Sequence, residues 1–131
     1  MKKELQEKLF KDFPKIFKYT KKKTKPIIPM AFGCECGDGW YPLINSLCKT
    51  LQWQVDNNKE PQPVAVQVKE KFGGLRFYIE SGSDKIYDII SVYENISFIV
   101  CEECGMTTST TKREKNHWMF TLCDACWIKR C

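Results

Sequence analysis

Residues 3–13 place Leu5, Leu9, Phe10 and Phe13 on one stripe with lysines opposite, which predicts an amphipathic helix. Pro14 interrupts it, and Ile16 and Phe17 continue the apolar face in a short second turn. Tyr19 to Pro29 reads as a connector, because its lysine run disfavours packing and its two prolines resist helix. Gly33 to Gly39 reads as a loop. Trp40, Leu43, Ile44, Leu47, Cys48 and Leu51 then recur at three- and four-residue spacing. They predict a core-facing helix to about Val55, with Asp38 as its N-cap and Pro42 in the first turn. Asp56 to Pro63 is a polar loop.

The period then changes from helical to two. Val64–Phe72 and Leu75–Glu80 alternate around Gly73-Gly74, the pattern of a β-hairpin. Val64, Val66 and Val68 are expected on one face with Leu75, Phe77 and Ile79, while Gln67, Lys69, Arg76 and Tyr78 point the other way. Residues 84–100 return to helical spacing through Ile86, Ile89, Ile90, Tyr93 and Ile96, opened by the cap candidate Ser83. The order helix, helix, hairpin, helix, cysteine module predicts a small α+β fold, a helical and β-hairpin domain with a treble-clef or zinc-ribbon-like module at its C-terminal end. The expected organisation is a basic N-terminal helix and lysine-rich connector (1–29), an α+β core (30–100) and a zinc-binding module (101–131) packed as one unit.

Composition narrows the class. With 131 residues, 43% hydrophobic and 28% charged, the chain is neither disordered nor fibrous. No apolar run approaches the ~20 residues of a spanning helix. The N-terminus lacks a secretory apolar stretch, so the expected location is the reducing cytosol, where clustered cysteines more often hold metal than form disulfides. The net charge of +5 is unevenly placed. Residues 1–26 hold ten lysines against three acids, and the remainder holds eleven cations against thirteen acids. A basic arm on a mildly acidic body does not describe a uniformly DNA-coating protein.

Eight cysteines are the unusual count. Cys101-x-x-Cys104-Gly105 and Cys123-x-x-Cys126 are separated by 18 residues, within the spacing of a tetrahedral zinc site. Met106–Thr111 and Trp118–Leu122 read as two short strands with Lys112–Asn116 as the turn, and the second pair opens a helix. Knuckle, hairpin and helix make a treble clef, and a ribbon with two knuckles is the near alternative. Four sulfurs close the coordination sphere, so one structural Zn2+ is expected rather than a catalytic ion with an open position. Cys48 lies on an apolar stripe and reads as core. Cys34 and Cys36 sit in a loop and lack a fourth ligand for a second metal, and Cys131 ends the sequence.

Catalytic groups are scarce. His117 is the sole histidine. A zinc deaminase needs His-x-Glu before its cysteine pair, an HNH-type nuclease needs further histidines, and Gly33–Gly39 lacks the lysine of a phosphate loop. The reading is therefore non-enzymatic, with no catalytic residues. Two surfaces are candidates for binding. One is the outward hairpin face, Gln67, Lys69, Arg76 and Tyr78, extended by Lys71 at the turn. The other is the arm, with Lys15, Lys18, Lys21, Lys22, Lys23 and Lys25.

Gly37-Asp-Gly-Trp40, Val68-Lys-Glu-Lys-Phe-Gly-Gly-Leu-Arg-Phe-Tyr78, Cys101-Glu-Glu-Cys-Gly105 and Thr121-Leu-Cys-Asp-Ala-Cys126 together resemble a group of small uncharacterised proteins encoded in phages, prophages and bacterial mobile elements. The resemblance covers most of residues 33–127 and leaves the basic arm outside. It implies a bacterial host cytosol and no catalytic residues. In that setting the expected partner is a protein or nucleoprotein, and the expected role is inhibition of a bacterial nucleic-acid defence complex, as anti-CRISPR proteins do. The alternative is a nucleic-acid-binding zinc protein of transcription type. Neither a membrane nor a small-molecule substrate is expected.

Overall fold

The computed structural model describes residues 1–20 and 27–130. Helix α1 spans Lys3–Asp12 and buries Leu9. It ends where Pro14 could offer no N–H, and Phe13, Ile16 and Phe17 carry its buried face onward. Helix α2 spans Tyr41–Asn58 and buries Leu43, Ile44, Leu47, Cys48 and Leu51, the stripe the spacing predicts. It runs past Val55 into the expected loop and stops at Lys59, whose φ of 54° is left-handed.

Asp38 does not cap α2. A 3-10 turn over Asp38–Trp40 runs directly into that helix, which has no side-chain cap. The Asp38 carboxylate instead accepts the Lys2 N–H at 2.7 Å, at the start of α1. A cap read from local sequence thus serves a different helix. The Gly33–Gly39 loop also contains a two-residue strand, β1 (Cys34–Glu35), parallel to the hairpin.

Strands β2 (Ala65–Lys71) and β3 (Gly74–Ile79) form the hairpin, giving a sheet of order β1-β2-β3. Its two-residue turn is Phe72-Gly73 rather than Gly73-Gly74, because Lys71 pairs with Gly74. Both turn residues have positive φ, 52° and 82°, as a type I′ turn requires. An irregularity between Ala65 and Gln67 shifts the alternation at Val66. Ala65 therefore joins Val64 and Val68 in burial, and Val66 is only half-buried. Beyond the bulge the expected faces hold. Val68 lies opposite Phe77 inside, and Gln67–Tyr78 and Lys69–Arg76 are opposed pairs on the outer face.

Helix α3 (Asp84–Ile96) opens with Ser83 Oγ accepting the Ile86 N–H. It buries Ile86 and Ile90 and lies along β3. Two groups from this segment complete β3: Glu94 Oε2 accepts the Phe77 N–H, and Ser97 Oγ accepts the Leu75 N–H, both at 2.9 Å. The core between these elements contains Trp40, Phe17, Ile44, Leu47, Leu51 and Leu75, all essentially inaccessible.

The C-terminal segment folds as β4 (Thr111–Lys115), β5 (Trp118–Leu122) and α4 (Asp124–Arg130). The expected turn at Lys112–Asn116 is mostly strand β4, and Met106–Thr110 is not strand. β4 is exposed apart from half-buried Arg113, so it shows no apolar alternation to betray it. The turn is Asn116-His117, both at positive φ.

Candidate metal centre

Residues 101–104 form a tight turn, closed by the Gly105 N–H donating to the Cys101 carbonyl at 2.8 Å. Gly105 has φ of 81°, a conformation glycine adopts without steric penalty. Cys123 immediately precedes α4 and Cys126 lies in its first turn, where the helix dipole favours thiolate. Knuckle, hairpin and helix in that order match the treble clef rather than the two-knuckle ribbon.

The four sulfurs of Cys101, Cys104, Cys123 and Cys126 all lie within 4.8 Å of one another. Cys104 Sγ is 3.7 Å from Cys123 Sγ. A tetrahedral ion with bonds of about 2.3 Å places its sulfurs about 3.8 Å apart, so these residues fit a metal of zinc's size and preference. Cys101, Cys123 and Cys126 are buried and Cys104 is exposed. Burial pushes the Cys101 thiol up, yet the backbone N–H groups of Cys123, Cys104 and Glu103 outweigh it and bring it to about 7. Burial and the neighbouring sulfurs push Cys126 upward. Four thiolates packed this closely need a cation to ionise together.

Polar contacts brace the cluster. Arg113 donates to the Leu122 and Ser109 carbonyls and to the Asp124 carboxylate. Ser109 Oγ accepts the Asp124 N–H, capping α4 from outside the helix. Arg130 pairs with Glu103 of the knuckle. The four motif segments noted in the sequence also converge here. The Gly39 N–H donates to the Glu102 carbonyl, and the Gly37 N–H to the Glu102 carboxylate. Trp40 Nε1 donates to the Val100 carbonyl at 2.8 Å. On the other side, buried Thr121 donates its hydroxyl to the Gly73 carbonyl, and its own carbonyl accepts the Glu102 N–H. A Cβ on Gly39 would stand 2.2 Å from the Cys101 carbonyl oxygen, so only glycine admits this approach. Burial raises the Glu102 carboxyl despite the opposing Gly37 N–H. Sequence reading missed this junction, although the glycines of Gly37-Asp-Gly-Trp40 were its visible signal.

The remaining cysteines behave differently. Cys34, Cys36 and Cys48 are buried in the apolar core. Burial pushes Cys34 up to about 12 and drives Cys36 and Cys48 upward as well, which describes inert thiols. Among the described residues they join no second metal cluster. Cys131 lies outside the described residues.

Of the expected binding residues, Gln67, Lys69, Arg76 and Tyr78 share the outer hairpin face, with Lys71 at its end. Lys15 and Lys18 are exposed near α1, whereas Lys21, Lys22, Lys23 and Lys25 lie outside the described residues. His117 is exposed at the β4–β5 turn. With Trp118, Met119, Glu70, Lys71 and Phe72 it lines an open groove of about 500 Å3 between the two hairpin tips. Among the described residues no helix is long and apolar enough to cross a membrane.

The fold and cluster define a small α+β protein with a four-cysteine metal-binding module. No family model, curated protein or solved structure matches the chain. The resemblance to phage and mobile-element proteins therefore rests on the motifs alone.

Proposed function

We propose that the chain is a non-enzymatic binding protein, stabilised by one structural Zn2+, that acts on a protein or nucleoprotein partner. The observation that carries this reading is the all-sulfur donor set: four cysteine ligands within 4.8 Å of one another fill a tetrahedral sphere and leave no vertex for an activated water. Support comes also from His117, the sole histidine, which is exposed at a turn and hydrogen-bonds neither a nucleophile nor a carboxylate among the described residues. The mobile-element resemblance supplies the more specific form, an anti-CRISPR-like inhibitor of a bacterial nucleic-acid defence complex. The test adds zinc-loaded protein to purified RNA-guided and restriction nuclease complexes. Inhibition that saturates near equimolar protein is expected. Turnover of any nucleic-acid substrate by the chain alone overturns the reading.

The alternative, a zinc protein of transcription type that binds DNA or RNA directly, is favoured by the cationic outer hairpin face. It requires affinity for DNA or RNA that falls steeply with salt and weakens when the arm lysines Lys15, Lys18, Lys21, Lys22, Lys23 and Lys25 are replaced by glutamine.

A further inference from the structure

Two features of the β2–β3 hairpin oppose folding. Lys69 and Arg76 are direct cross-strand partners on the outer face, and like charges so placed destabilise an antiparallel pair. Neither forms an ion pair among the described residues. The Arg76 guanidinium donates only to the Leu75 carbonyl, at 3.3 Å. Carboxylates stand at the margins of this face. Glu35 lies across from Lys69 on β1 without an ion pair, Glu80 accepts the Tyr19 hydroxyl, and Glu94 accepts the Phe77 N–H.

The second feature is Phe72. It holds φ of 52° at the first position of a type I′ turn, where asparagine, aspartate or glycine is favoured, and its ring is 65% exposed. A bulky apolar side chain sits in left-handed backbone and stays mostly exposed there. The Lys71 ammonium lies 5.7 Å from its ring centroid. At the other end of the face Tyr78 is 38% exposed, about 7 Å along the strand from Arg76. Exposed rings thus bracket three cations, and backbone strain at an exposed ring suits a site shaped for a ligand.

We propose that this face binds an unpaired stretch of nucleic acid, with phosphate seated between Lys69 and Arg76 and bases stacked on Phe72 and Tyr78. The inference rests on the binding-protein reading and names the part of a nucleoprotein that the chain contacts. Phosphate relieves the repulsion between the two cations. Unpaired bases expose the planar faces that the rings take, whereas bases in a duplex are already stacked. An acidic peptide would answer the cations and leave the rings without a planar partner.

The test measures fluorescence anisotropy of labelled single strands of about 15 nucleotides, DNA and RNA, and of the matching duplex, with the zinc-loaded full chain. Single strands should bind in preference to duplex, and about tenfold more weakly when salt rises from about 50 to 200 mM. The double variant Lys69→Gln/Arg76→Gln should bind about tenfold or more weakly, with Tm unchanged or raised because the repulsion is gone. Phe72→Asn should lose affinity several-fold and raise Tm, because asparagine suits the turn. Unchanged strand affinity in both variants overturns the proposal, as does preference for duplex or equal displacement by polyglutamate. If strands fail to bind while the chain still inhibits a nuclease complex, this inference falls and the binding-protein reading stands. If strands bind and are cut, the non-enzymatic reading falls and the binding face stands.

Discussion

The two ends of the chain reach order by different physical means. Between α1 and α3, nineteen buried side chains among the described residues form one continuous apolar cluster. Beyond Val100, the buried cluster among the described residues has four members, and three of them are cysteines. A segment of about thirty residues cannot remove enough apolar surface from water to offset its chain entropy, so metal coordination must supply what packing does not. The same amino acid shows the difference. Cys34, Cys36 and Cys48 act as small apolar groups among leucines and aromatics, and burial holds them protonated. Cys101, equally inaccessible, receives backbone N–H groups and is drawn toward thiolate. The approach of four sulfurs to within 4.8 Å of one another, more than exposure, separates ligand from filling.

Four experiments test how separate these regimes are. The largest effect should follow metal removal, because coordination of this kind is worth on the order of 10 kcal/mol. After chelation, or in Cys104→Ser, amide NMR signals from 101–130 should collapse toward unfolded positions while those of α1–α3 stay dispersed. Dispersed signals throughout would show that the C-terminal segment folds without metal. Next, Leu47→Ala empties a fully buried core position and should lower stability by about 2–5 kcal/mol. At low temperature it should leave metal stoichiometry unchanged, and loss of metal there would show that the regions depend on each other more deeply.

Gly39→Ala attacks the junction itself. Its Cβ would collide with backbone atoms of Cys101, Glu102 and Gly105, which no rotamer change can relieve. A loss of about 1–3 kcal/mol is expected, with one thermal transition separating into two. A single transition at the original Tm would mean the contact carries no coupling. The smallest effect is expected for Glu102→Gln, which keeps an oxygen acceptor for the Gly37 N–H and should shift stability by less than about 1 kcal/mol. A larger loss would show that the charge of Glu102, beyond its hydrogen bond, holds the knuckle.

The legible parts of the sequence were those governed by periodicity or ligand spacing. The α2 stripe, the outer face of the hairpin and the four clustered cysteines all follow from residue intervals alone. What escaped depends on partners distant in sequence. Asp38 sits where a cap belongs, but the N–H it accepts, from Lys2 at the start of another helix, lies 36 residues earlier. The bulge at Val66 adds one residue to the register and leaves no polar mark, so Ala65 takes the buried place expected of a valine. β4 carries Thr-Lys-Arg-Glu-Lys because its side chains are largely exposed, and a strand with no buried face looks like a turn. The glycines before Trp40 read as loop punctuation, although their lack of a side chain lets the knuckle approach.

The acceptors that α3 and the segment after it place on β3 also limit how this molecule meets others. Glu94 and Ser97 occupy outward N–H groups of β3, and at the opposite border β1 is only two residues long. A visiting strand finds hydrogen-bond donors already engaged on one border and too short a template on the other. The sheet is thus guarded against β-augmentation and against edge-to-edge aggregation. Whatever docks on it must do so through side chains.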